Sequence, residues 1–159
     1  MTRIGFMSDL HLDSNQFGHF EQQTLKDVLK KERIDHLHIA GDLSNNLTKI
    51  SLPFIEDLRQ ELPISFNLGN HDMLGLSEQE ISGYDFHVQQ FGQTKLVSFS
   101  GWYDYSFVPE KSKEEHLRTK TNFWFDRRLE RHLDDSSITA HILQKLEKLL
   151  ASLNGPIIV

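Results

Sequence analysis

The sequence predicts an α/β fold built on parallel strands, and three observations predict it. Short apolar runs at residues 3–7, 36–40 and 64–68 read as buried strands. Amphipathic stretches at 17–31 and 52–62 read as helices between them, and the resulting β-α-β-α-β order calls for right-handed parallel crossovers. Each apolar run also stops at polar residues, which in such a sheet lie at the carboxyl edge where ligands bind.

The elements follow in order. R-I-G-F-M (3–7) is a short strand ending at Ser8-Asp9. Phe17, Phe20, Leu25, Val28 and Leu29 recur at helical spacing. H-L-H-I-A (36–40) is a second strand ending at Gly41-Asp42; His36 and His38 share one of its faces as core or supporting residues rather than ligands. Phe54, Ile55 and Leu58 mark the inner face of the second helix, with Ser51 as its N-cap and Pro53 in its first turn. Residues 64–68 form the third strand, which ends in Gly69-Asn70-His71-Asp72. Beyond it, 86–88 and 96–99 are strand candidates separated by Gly92, and 101–105 is an aromatic loop. Residues 111–120 read as charged and exposed, and 121–131 mix aromatics with arginines. A long amphipathic helix runs over 138–153 with Ser137 as N-cap and Asn154-Gly155-Pro156 as its stop; an apolar strand, P-I-I-V, follows.

The 159 residues fit a single domain over 1–159, and 38% hydrophobic with 25% charged residues is ordinary for a globular protein. The absence of cysteine excludes disulfides and thiolate metal sites. No apolar run is long enough to span a membrane and no signal-peptide pattern opens the chain, so a cytoplasmic location is the expectation. A net charge of −6 and only small basic clusters argue against a grip on nucleic-acid phosphates.

The chemistry lies at the strand ends. Asp9 and His11, two apart, can reach one ion from an extended backbone, and a carboxylate with an imidazole suits Mn²⁺, Fe²⁺ or Zn²⁺. Asp42 after Gly41 can bridge two cations; Asn70 offers a neutral oxygen. His71 can give a proton to a departing oxygen, with Asp72 to orient it. Asn45 is a candidate to hydrogen-bond substrate, and Arg128, beside Arg127, to receive a substrate phosphate. Trp102, Tyr103 and Trp124 are candidates to stack on a substrate ring. Each is also a common turn, surface or packing residue, and for F-W-F-D-R-R the packing reading with a solvated arginine face is the favoured one.

Taken in order, S-D-L-H (8–11), A-G-D-L (40–43) and L-G-N-H-D (68–72) resemble the calcineurin-like, purple-acid-phosphatase-like metallophosphoesterase superfamily. The direct match covers residues 1–72. The resemblance implies an α-β-β-α sandwich with a dinuclear centre at the strand ends: Asp9 and His11 on the first ion, Asp42 between both, Asn70 on the second, and His71 as acid or stabiliser. It implies two divalent ions, Mn²⁺ foremost with Fe or Zn as alternatives. The reaction it implies is attack of a metal-bound hydroxide on a small phosphomonoester or phosphodiester. A nuclease of the same superfamily and a non-catalytic scaffold are the competing readings; a dinucleotide-binding domain lacks its G-x-G-x-x-G.

The resemblance also implies later histidines, one after a strand and two more in a G-H-x-H, and none of the nine histidines here supplies them. The expectation is therefore an N-terminal part of a longer enzyme, its second sheet incomplete, with 96–99 exposed and self-association favoured.

Overall fold

The hydrophobic pattern of the first half is realised almost residue for residue. The structure, a computed structural model, describes residues 2–159. Strand β1 (Ile4–Met7), helix α1 (His19–Lys31), strand β2 (His36–Ala40), helix α2 (Leu52–Arg59) and strand β3 (Ile64–Asn67) follow one another as expected. The three strands form a parallel sheet with β2 in the middle, Phe6 opposite His38 and His38 opposite Ser65. Leu37 and Ile39 join Leu29, Phe54, Ile55, Leu58 and Ile64 in one buried cluster. Burial of this apolar area, at about 25 cal/mol per Å², is the main term favouring the fold.

Alternation turns His36 and His38 to the other face of β2, where both are buried. Their hydrogen bonds run in one direction. Asn67 Nδ2 donates to the Leu68 carbonyl (3.3 Å), so its Oδ1 accepts from His38 Nε2 (3.1 Å). Nδ1 of His38 then accepts from the Ser65 hydroxyl, and Ser65 Oγ accepts from His36 Nε2, both at 2.8 Å. Burial, with a smaller contribution from the neighbouring His36, lowers the His38 pKa from its ordinary 6.5. The pair is structural, as expected.

Ser51 does not cap α2. It has helical φ and ψ, because a π-helical turn (Leu47–Ser51) precedes α2 and moves the start back to Asn46, whose side chain accepts from Lys49 N at 3.0 Å. The Ser51 side chain is buried and turned elsewhere, as described below.

The chain divides into two compact units, one ending at Gly75 and the other spanning Leu76–Val159. The second contains helix α3 (Glu78–Ser82), the hairpin β4 (His87–Phe91) and β5 (Thr94–Ser98), helices α4 (Lys113–Phe123) and α5 (Asp135–Ser152), and strand β6 (Ile157–Ile158). β6 pairs in parallel with β5, so the expected C-terminal strand exists and β5 is the central strand of three. The expectation that 96–99 would be exposed fails: Leu96 and Val97, which point to opposite faces of β5, are 3% and 2% exposed. α5 begins at Asp134, whose carboxylate accepts from Ser137 N at 2.9 Å; Ser137 is inside the helix and is not its cap.

The segment expected to be merely charged and exposed forms α4. A capping box starts it, with Glu115 N donating to Ser112 Oγ (3.3 Å) and Ser112 N to Glu115 Oε2 (2.8 Å). The aromatic loop packs on itself. Trp102 stacks on Tyr103 at 5.2 Å, and Trp124 meets Tyr103 edge-on at 5.0 Å. Buried Asp135 accepts from Trp102 Nε1 (2.8 Å), Lys120 Nζ (2.6 Å) and the Tyr105 hydroxyl. Among the described residues no helix is long and apolar enough to cross a membrane.

Candidate metal centre

Three loops at the carboxyl edge of β1, β2 and β3 are laced together by backbone. Beyond the strands, Asp9 N donates to Gly41 O (3.2 Å), His11 N to Asp42 O (3.1 Å) and Leu12 N to Leu43 O (2.7 Å). Gly41 has φ +81°, and a Cβ on it would lie 2.3 Å from Gly69 N. A Cβ on Gly69 would lie 2.1 Å from Asp42 Oδ1. The two glycines are thus required by the closeness of the loops, and the closeness sets Asp42 beside the 69–72 turn.

Within this frame Asp9, His11 and Asp42 adopt left-handed backbone conformations, with φ of 59°, 43° and 56°. Each costs a non-glycine residue about 1–3 kcal/mol, and such strain concentrates at functional sites. It also corrects the sequence argument for the Asp9–His11 pair. The two side chains converge because the backbone turns at both residues, not because it is extended. Asp9 Oδ1 lies 3.9 Å from His11 Nε2, on a side chain that is two-thirds exposed.

His11, Asp42 and His71 form the cluster. One ligand atom from each lies within 4.8 Å of the others, and the His11 and His71 rings meet edge to face with centroids 4.5 Å apart. His71 N donates to Asp42 Oδ1 at 3.0 Å, fixing the turn against the carboxylate. Two imidazoles and a carboxylate, with Asp9 at the rim, fit a borderline divalent cation such as Mn²⁺, Fe²⁺ or Zn²⁺. Asn70, partly buried, sits in the turn between Gly69 and His71.

Asn45 and Asp72 stand in other places than expected. The Asn45 side chain is engaged within the protein: Oδ1 lies 2.9 Å from His71 Nδ1, and Nδ2 donates to Asp13 Oδ2 at 2.8 Å. The group that faces His71 Nδ1 is therefore Asn45, where the sequence reading put Asp72. Asp72 is 1% exposed, and its oxygens accept from Leu43 N, Ser44 N, Gly69 N and Ser51 Oγ at 3.1–3.3 Å. It ties the loop after β2 to the loop after β3. Burial raises the Asp72 pKa, against the opposing pull of these donors.

Asp13 was not singled out in the sequence. The only signal for it was a second acid two residues past His11 in S-D-L-H-L-D. Burial alone would raise its pKa; the hydrogen bonds from Asn45 and the local backbone outweigh that and hold it low. Arg128 lies in the second unit, exposed and with its guanidinium 5.0 Å from the Phe125 ring, while Arg127 donates to the Asn122 carbonyl at 2.7 Å. These contacts match the packing reading of that segment.

With this geometry in view, the comparisons are decisive for the family. A family model described as calcineurin-like phosphoesterase matches residues 2–156. The chain belongs to the calcineurin-like phosphoesterase family. Among solved structures, a phosphopantetheinyl hydrolase from Mycobacterium tuberculosis is similar, with a TM-score of 0.71 and 19% identity over 98% of this chain. That likeness shows a shared fold, and the chain spans 66% of the length of that hydrolase. No curated protein matches the chain.

Proposed function

We propose that this calcineurin-like phosphoesterase hydrolyses a small phosphomonoester or phosphodiester with the help of divalent metal ions. The observation that carries the reading is the convergence of His11, Asp42 and His71 on one point at the sheet edge, from three separate strand ends. The family and the shared fold with a phosphopantetheinyl hydrolase support a phosphorylated substrate. The match through residue 156 supports treating both units as one domain.

In this reading Asp9, His11, Asp42 and Asn70 would hold the divalent ions, with Mn²⁺ the foremost candidate. When bound, such ions polarise phosphoryl oxygens and lower the pKa of coordinated water. The rest is the work of the chain. Water forms a bond to phosphorus as the bond to the ester oxygen breaks, the electron pair leaving with that oxygen. His71, oriented through Nδ1 by Asn45, delivers a proton from Nε2 to the departing oxygen, and the attacking water's proton passes to solvent. Asp72 keeps the Gly69–His71 turn against the loop that carries Asp42.

The test is hydrolysis of p-nitrophenyl phosphate and its bis ester with Mn²⁺. Activity that falls at least 100-fold in His71→Ala supports the reading, on the scale of lost acid catalysis. Unchanged activity in His71→Ala, or none in the wild type with metal bound, sinks it.

A further inference from the structure

An asparagine beside an imidazole poses a question that a carboxylate would not. The amide has two ends of nearly equal size, one accepting and one donating. With Oδ1 toward His71, Nδ1 carries the proton and a neutral ring has its lone pair on Nε2. With Nδ2 toward His71, the tautomer is reversed. Something on the far side of Asn45 must choose.

Asp13 makes that choice in the structure. An ionised carboxylate only accepts, and Oδ2 of Asp13 takes both the Asn45 side-chain N–H (2.8 Å) and the Asn45 backbone N–H (3.1 Å). A flipped amide would set Oδ1 against that carboxylate and lose the bond. The backbone contact holds Asp13 in place whichever way the amide points. Oδ1 is therefore aimed at His71, 2.9 Å from Nδ1. The carboxylate also polarises the amide, making Oδ1 a stronger acceptor.

We propose that Asp13 is a positioning residue: through Asn45 it fixes the proton of His71 on Nδ1 and so presents Nε2 to the His11–Asp42 side of the site. The catalytic consequence rests on the phosphoesterase reading above; the tautomer itself does not.

The test begins with long-range ¹H–¹⁵N NMR of metal-free protein, which distinguishes the two histidine tautomers. Wild type gives the Nδ1–H pattern at His71. Asp13→Ala gives a mixture of tautomers, and Asp13→Asn, whose Oδ1 can still accept from Asn45, restores the wild-type pattern. With Mn²⁺ and p-nitrophenyl phosphate, Asp13→Ala lowers kcat about tenfold, the scale of losing a supporting hydrogen bond, with KM within about twofold. In an Asn45→Ala background, where no amide links Asp13 to His71, adding Asp13→Ala changes neither the tautomer nor kcat. If Asp13→Ala alone fails to fold, the wild-type pattern and Asp13→Asn decide the matter. An Nε2–H pattern in the wild type, an unchanged tautomer in Asp13→Ala, or the same loss of kcat in the Asn45→Ala background overturns the proposal. Absence of hydrolysis in every variant would sink the phosphoesterase reading and leave the NMR result to decide the role of Asp13.

Discussion

Asp72 is the residue whose replacement the structure prices most clearly. Its carboxylate takes three backbone N–H groups, those of Leu43, Ser44 and Gly69, and the Ser51 hydroxyl, in a position that is 1% exposed. Asp72→Ala leaves three buried donors without that acceptor, at about 1–3 kcal/mol each. Relief of a buried charge and entry of water offset part of this, so the net loss is about 3 kcal/mol. For a chain of this length that lowers Tm by about 6–12 °C. Asp72→Asn is milder. Oδ1 can keep Leu43, Ser44 and Ser51, leaving only Gly69 N–H facing an amide nitrogen, at about 1–2 kcal/mol. The sign of the pH dependence follows from the raised pKa. The folded protein binds this proton more tightly than the unfolded chain, so the contribution is full below 3.8 and is lost as pH rises through the folded value. Asp72→Asn removes that dependence. Urea unfolding of the three proteins measures all of this. A midpoint for Asp72→Ala indistinguishable from wild type would refute the reasoning, because three buried N–H groups would then have found partners the structure does not provide.

Three further outcomes follow from the geometry. Gly69→Ala should fold poorly or lose metal, since its Cβ would sit 2.1 Å from Asp42 Oδ1; circular dichroism and Mn²⁺ titration check it. The lowered His38 pKa means that the unfolded chain binds the proton first, so its contribution is present above 6.5 and is lost as pH falls below that value; the urea midpoint followed from pH 8 to 5 reads this, and Ser65→Ala, which takes the hydroxyl from both imidazoles, lowers stability by about 1–3 kcal/mol. Asp135→Ala strands the mostly buried Lys120 ammonium, whose partner lies at 2.6 Å, and costs about 3–5 kcal/mol with a shift in the fluorescence of Trp102, which also loses its acceptor.

What could be read in advance was what is local. Strands, crossovers and the polar strand ends follow from hydrophobic periodicity, and the ordered motifs led to the family. The caps at Ser77-x-x-Glu80 and Ser112-x-x-Glu115 were equally local signals and would have revealed α3 and α4. The roles of Asp72, Ser51 and Asp13 were not legible. Asp72 reaches N–H groups 28 and 29 residues back along the chain, and Asp13 meets Asn45 across 32 residues. Such contacts exist only once Gly41 and Gly69 have brought the loops together. For the same reason Asp9 and His11 looked like a simple alternating pair, whereas their convergence is made by left-handed turns.

The assignment of His11 and Asp42 to a cation site beside His71 is tested most directly by Mn²⁺ titration of the wild type and of Asp42→Asn, followed by calorimetry and by the EPR signal of free Mn²⁺. The geometry predicts saturable binding by the wild type and loss of it in Asp42→Asn, with the fold intact. Equal binding by the two proteins would mean that the cation, and with it the proposed chemistry, lies elsewhere.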